Sequence, residues 1–107
     1  MKVSEYQECV KRTCAATEHE DIIKLALIGM AGELGEIAEP LKKYLWGDHS
    51  FARSDLKNEI GDLLWYLATL CNTFNIDLEQ VMQLNIEKLQ RRYPDGFSAE
   101  MSQHRKV

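Results

Sequence analysis

Gly32-Glu33-Leu34-Gly35-Glu36 is the stretch whose reading decides the fold, and Glu59-Ile60-Gly61-Asp62 answers it further along the chain. Each sets two carboxylates three residues apart inside an apolar pattern of helical period. Side chains at i and i+3 are neighbours on a helix. Two such pairs facing each other gather four acids in one small space, where they repel and resist ionising together. A hard divalent cation with oxygen ligands is the partner that such a set calls for.

The angular pattern supports a shared site. A helix turns about 100° per residue. Measured from Glu33, the apolar residues Ala26, Ile37, Met30 and Leu41 lie within about 80° on one side, and Glu36 lies about 60° to the other. Measured from Glu59, Leu70, Leu63, Leu56, Phe74 and Leu67 fill the same arc, with Asp62 again about 60° out. In both helices the first acid borders the core stripe and the second flanks it. Glu39 falls on the far face. The plain alternative is a set of rim charges paired with Lys42, Lys43 or Lys57, since charged residues are mostly exposed. The donor types narrow the metal. None of His19, His49 and His104 follows a glutamate by three, as a di-iron bundle wants, and zinc draws on His or Cys. An all-carboxylate shell favours Mg²⁺ or Mn²⁺.

Outward from these stretches the signal is helical throughout, with two prolines, six glycines and no strand-like alternation. Ser4 can cap a first helix from Glu5 to Thr17. Glu20 or Asp21 opens a second that runs to Leu45. Pro40 lies inside it, removes the hydrogen bond to the Glu36 carbonyl and is expected to kink it. Residues 46–50 read as a loop. Ser54 or Asp55 caps a third helix to Phe74, and Asp77 caps a fourth from Leu78 to Arg92. Tyr93-Pro94-Asp95-Gly96 is a stop signal. The expected architecture is an all-α four-helix bundle in one domain, residues 1–97, followed by a polar C-terminal tail, residues 98–107, mobile unless docked.

The totals exclude several classes. At 107 residues, 45% hydrophobic and 28% charged, the composition is that of a single globular domain, small enough for oligomerisation to add useful burial. A net charge of -4 and the lack of a basic block exclude non-specific nucleic-acid binding. No apolar run reaches the roughly 18 residues that a membrane span needs, and the N-terminal residues have no signal-peptide core. Cys9, Cys14 and Cys71 lack metal-type spacing and read as free thiols in a reducing cytoplasm.

Gly29, Gly32, Gly35 and Gly61 each cost a helix about 1 kcal/mol relative to alanine, which calls for close helix approach or room for a ligand. Trp65 and Ala68 lie opposite the main stripe of the third helix and suggest a subunit interface. Tyr66 lies almost in line with Glu59 and can contact a ligand above the acids, or close the core with its hydroxyl in water. Lys42, Lys43, Lys88, Arg91 and Arg92 are the cations available for a phosphate. Trp46, just past the second helix, can stack on a base or serve the core or an interface.

Three motifs, GELGEIAEPLKK, NEIGDLLWYLATL and NIEKLQRRYPDGF, resemble in that order the MazG-like all-α nucleoside triphosphate pyrophosphohydrolases. The resemblance runs from Leu25 to Phe97. It implies a four-helix bundle of that type, Mg²⁺ dependence, assembly as a homodimer or homotetramer, and conversion of (deoxy)nucleoside triphosphates to monophosphates and pyrophosphate, as in nucleotide-pool housecleaning. The family's metal-binding acids match Glu33, Glu36, Glu59 and Asp62, with Glu33 or Glu36 as the catalytic base. Lys88 and Arg92 match its basic positions near the end of the last helix, and Tyr66 matches a position near the nucleotide. Together with Lys42, Lys43, Trp46 and Asn85, which opens the third motif, they are the substrate-binding candidates. Gly32 stands before Glu33, where many members carry a further glutamate, as in the smaller single-domain branch. A nucleotide- or metal-binding module without turnover, and a helical interaction protein, are the competing readings.

Overall fold

The computed structural model describes residues 1–47 and 49–104; Asp48 of the expected loop and the last three residues of the expected tail lie outside the described residues. Among the described residues five helices form: α1 (Val3–Thr13), α2 (His19–Trp46), α3 (Arg53–Thr73), α4 (Leu78–Arg92) and α5 (Ala99–Gln103). The all-α class stands. Among the described residues no helix is long and apolar enough to cross a membrane.

Local chemistry explains where the helices begin and end. Asp77 caps α4 at the expected residue, its carboxylate accepting from the Glu79 N–H at 3.0 Å. α3 begins earlier than Ser54 or Asp55 as caps would allow. Ala52 is its N-cap, and Asp55 therefore sits inside the first turn with its side chain released from capping. α1 starts at Val3 and stops at Thr13, short of Thr17, and the Thr13 hydroxyl donates to the Val10 carbonyl at 3.0 Å. Such a local bond competes with helix continuation. α2 runs through Pro40 to Trp46 without ending there. Past α4 the chain turns at Gly96, whose φ of 89° suits a residue without a Cβ. The polar segment after residue 97, expected to be mobile unless docked, holds a helical turn capped by Ser98 accepting from the Met101 N–H at 3.0 Å.

α2 and α3 pack along each other as the principal pair. Gly29 meets Tyr66, Glu36 meets Glu59, and Pro40 shares a cavity with Asp55, the falling register of an antiparallel hairpin. α1 lies across the other side of α3. Val10, Ala68, Cys71 and Leu78 form its contact, with Val3, Tyr6 and Trp65 packed around them. The Trp65–Ala68 face, expected as a subunit interface, is thus covered by α1 of the same chain, and the Trp65 indole N–H donates to the Thr13 hydroxyl at 2.7 Å.

A buried glutamine fixes the start of α4. The Gln7 amide donates to Asn72 Oδ1 and to the Ile76 carbonyl, both at 3.0 Å, and accepts from the Leu78 N–H at 3.0 Å. The Asn72 amide returns a bond to the Gln7 carbonyl. α4 therefore leaves the α3 turn at an angle set by α1, and packs against α1 rather than along the α2–α3 hairpin. The four long helices do not close into a compact bundle within one chain. The radius of gyration is 17.2 Å, against about 13 Å for a compact domain of this size.

Candidate active site

The register of the hairpin brings the two acid pairs together. Glu33 and Glu59 are half-buried, while Glu36 and Asp62 are exposed, the inner and outer order expected from the helical angles. Carboxylate oxygens of Glu33, Glu59 and Asp62 all lie within 4.8 Å of one another. Glu36 joins them through Glu59, its nearest acidic neighbour. One oxygen of Glu33 and one of Glu59 are shut off from solvent with no hydrogen-bond partner.

The electrostatics follow from that crowding. Sharing a proton with Glu59 is the main cause that raises the Glu36 carboxyl above its ordinary range, followed by the negative charge of Glu59, lost hydration and Asp62. Glu59 is raised chiefly by its contact with Glu33, against an opposing contact with Glu36, and further by desolvation and the charges of Glu33 and Asp62. Every charged neighbour shifting these two groups is an acid. Two of the three lysines that could pair with these acids point elsewhere: Lys42 and Lys43 both reach Glu39, at 3.2 and 4.0 Å, on the outer face of α2. Orphaned carboxylate oxygens in an all-acid cluster fit a divalent cation with oxygen ligands. They do not fit a self-sufficient set of surface ion pairs, in which each oxygen would have a cation.

A cavity lies on either side of the cluster. One, of about 370 Å³, is lined by Glu33, Asp62, Trp65 and Tyr66. The other, of about 400 Å³, begins at Glu36 and Glu59 and runs between Pro40 on α2 and Asp55 on α3, closed by residues 50–52. Phe51 of that segment packs edge-on against Tyr44 of α2, ring centres 5.0 Å apart.

The other sequence candidates divide. Tyr66 stands in the wall beside Glu33 and Asp62. Trp46 ends α2 and is 81% exposed. α4 meets the rest of the chain through its first turns, where Leu78 and Met82 face Tyr6, and carries Asn85, Lys88 and Arg92 beyond that contact. Two residues at the site were not singled out from sequence. Tyr6 of α1 stands near Asp62, and burial first and then that carboxylate push its hydroxyl pKa up. Asp55 had been read as a cap, yet it lies four residues before Glu59 and seven before Asp62, a spacing that marks one helix face.

Comparison with known proteins bears on this geometry. The model of the MazG nucleotide pyrophosphohydrolase domain matches residues 20–97, which include both acid pairs and α4. This chain belongs to that family. It is 41% identical over 73 residues to the Gene 37 protein of Mycobacterium phage L5, covering 64% of each chain. It is 33% identical over 77 residues to the dCTP pyrophosphatase 1 of Bos taurus, covering 69% of this chain and 46% of the relative. The chain thus spans less than two thirds of the phage protein and about half of the bovine one. No solved structure matches it. MazG membership and the acid cluster agree on a metal-dependent chemistry.

Proposed function

We propose that this MazG protein hydrolyses (deoxy)nucleoside triphosphates to monophosphate and pyrophosphate with Mg²⁺, Mn²⁺ being a substitute. The observation that carries the reading is the gathering of Glu33, Glu59 and Asp62, with Glu36 at their edge, in which one oxygen of Glu33 and one of Glu59 are buried without a hydrogen-bond partner. The relative named for dCTP supports a triphosphate substrate. Glu33, Glu59 and Asp62, with Glu36 at their edge, would hold the metal. Bound there, the metal neutralises phosphate charge, polarises the α-phosphoryl oxygen and lowers the pKa of a water.

The chain's own part is orientation and proton transfer. Glu36 or Glu33 accepts a proton from the attacking water, whose oxygen bonds to the α-phosphorus. The bond from the α-phosphorus to the bridging oxygen breaks, and pyrophosphate leaves with the electron pair. An in-line displacement of this kind depends mostly on positioning and charge stabilisation. Tyr66, beside Glu33 and Asp62, would flank the part of the nucleotide that lies over the acids.

A homo-oligomer completes this reading. The accessible surface of the chain is 8283 Å², against roughly 6,100 Å² for a compact monomer of this mass. Leu84 and Ile86 on α4 and Leu27, Ile28 and Leu34 on α2 are half-exposed or more. The surplus is of the order that an obligate interface buries. A second copy seated on α4 would bring Asn85, Lys88 and Arg92 to an acid cluster and so supply the phosphate-binding cations. Cytoplasmic housecleaning of the nucleotide pool is the role that fits such an enzyme.

Incubation with each dNTP and Mg²⁺, with the products resolved, tests the reaction. Monophosphate plus pyrophosphate is expected, and orthophosphate in place of pyrophosphate would sink it. Unchanged turnover by Glu59→Gln would sink the site.

A further inference from the structure

Resting on the triphosphate reading, the cavity between Glu36 and Asp55 has a lining that defines what part of a substrate it can take. Glu36, Asp55 and Glu59 contribute carboxylates, Ser50 and Asn58 contribute a hydroxyl and an amide, and no Lys or Arg borders it among the described residues. A lining of that charge rejects phosphate. Ile37, Leu41, Phe51 and Leu56 supply the apolar part of the lining, and Phe51 is held by its edge-on contact with Tyr44. At about 400 Å³ the space falls within the roughly 300–1,000 Å³ of small-molecule sites. It opens directly onto Glu36 and Glu59, so a ligand spanning cavity and cluster would have an uncharged, flat, apolar-faced end and an anionic, metal-bridged end.

Asp55 decides the edge that such a ring must present. Ala52 caps α3, so the Asp55 carboxylate is spared that duty and borders the cavity. An ionised carboxylate only accepts hydrogen bonds. Pro40, which also lines the cavity, has no N–H and so offers a base no backbone donor. An exocyclic amino group meets these acceptors favourably, whereas a keto oxygen meets them with lone pairs facing lone pairs.

We infer that this cavity is the nucleobase subsite, and that Asp55 selects amino-bearing bases over their keto counterparts. The nucleoside enters between Phe51 and Asp55, and the phosphates lie over Glu33, Glu59 and Asp62.

The test uses dCTP and dUTP, which differ in this edge by a 4-amino for a 4-keto group. The wild-type protein is expected to favour dCTP in kcat/KM by at least about tenfold, because a keto base leaves the acceptors unpaired. Asp55→Asn presents a donor as well as an acceptor and is expected to bring the ratio close to one. Equilibrium binding of the non-hydrolysable α,β-imido forms of dCTP and dUTP to the wild-type protein gives the second measurement, independent of any variant's folding. A wild-type ratio near one in both measurements, or a folded Asp55→Asn protein that keeps the full ratio, overturns the inference. Preferential binding of the cytosine analogue without hydrolysis of either triphosphate would sink the pyrophosphohydrolase reading and support the subsite.

Discussion

The ring of Tyr66 occupies the space that a side chain at Gly29 would need. A Cβ built on Gly29 overlaps the Tyr66 ring, whereas Gly32, Gly35 and Gly61 have open space at the same position. Close helix approach within the chain therefore explains Gly29 and none of those three. Gly29→Ala is expected to push Tyr66 off α2 and cost about 1–3 kcal/mol, the range for overpacking, read by urea denaturation. Tyr66 also walls the cavity beside Glu33 and Asp62, so KM for the nucleotide should rise with it. In a Tyr66→Ala background the same substitution should have little further effect. Additive losses would show that Gly29 does not act through Tyr66.

The acid cluster makes stability depend on pH in a definite direction. Glu36 and Glu59 have folded pKa values above the 4.5 of an unperturbed glutamate. The folded protein therefore holds these protons more tightly than the unfolded chain. Their contribution to stability is fully present below the unfolded value and is lost as pH rises through the raised folded values. Without metal, Glu36→Gln should melt higher than the wild type at neutral pH, and the gap should close in acid. On the proposed reading Mg²⁺ would bind the ionised cluster, so its stabilisation of the wild type should be larger at pH 8 than at pH 5. Melting curves over pH, with and without millimolar Mg²⁺, measure both. A Mg²⁺ shift of the same size at the two pH values would count against the cluster as the metal site.

Gln7 is the residue most exposed to a single conservative change. It is buried, and its amide satisfies Asn72, Ile76 and Leu78 together. Gln7→Leu keeps most of the volume and leaves the Leu78 N–H without its acceptor and the Ile76 carbonyl without this donor. A loss of about 2–3 kcal/mol is expected from these orphaned groups, measured by denaturant unfolding at fixed protein concentration. The departure angle of α4 rests on the same bonds, so the proposed assembly through α4 should weaken as well.

Assembly can be tested on α4 itself. Leu84 and Ile86 are at least half-exposed in the single chain. On the proposed homo-oligomeric reading the wild type sediments as a dimer or tetramer in analytical ultracentrifugation, and Leu84→Glu with Ile86→Glu is expected to give a monomer at the same concentration. If α4 of a second copy supplies Lys88 and Arg92, activity should fall with the assembly. A monomeric variant with full activity would rule that contribution out.

The amino-acid sequence alone determined the helices and the two acid pairs. Their apolar period, caps and spacing are local properties of the chain, and the antiparallel register then carries both pairs to one place. Local reading went astray at Asp55 and at Trp65. Asp55 has the chemistry of a cap, but Ala52 takes that position and leaves its carboxylate beside a cavity. Trp65 and Ala68 have the pattern of an exposed apolar face, but α1 of the same chain covers them. Helical period says which residues share a face and is silent on what packs against it. That choice belonged to the tertiary structure: the opposition of Gly29 and Tyr66, the Gln7 bonds that turn α4 away from the hairpin, and the cavity between Glu36 and Asp55. Each depends on two segments far apart in the chain meeting at atomic distance, and no single stretch encodes that meeting.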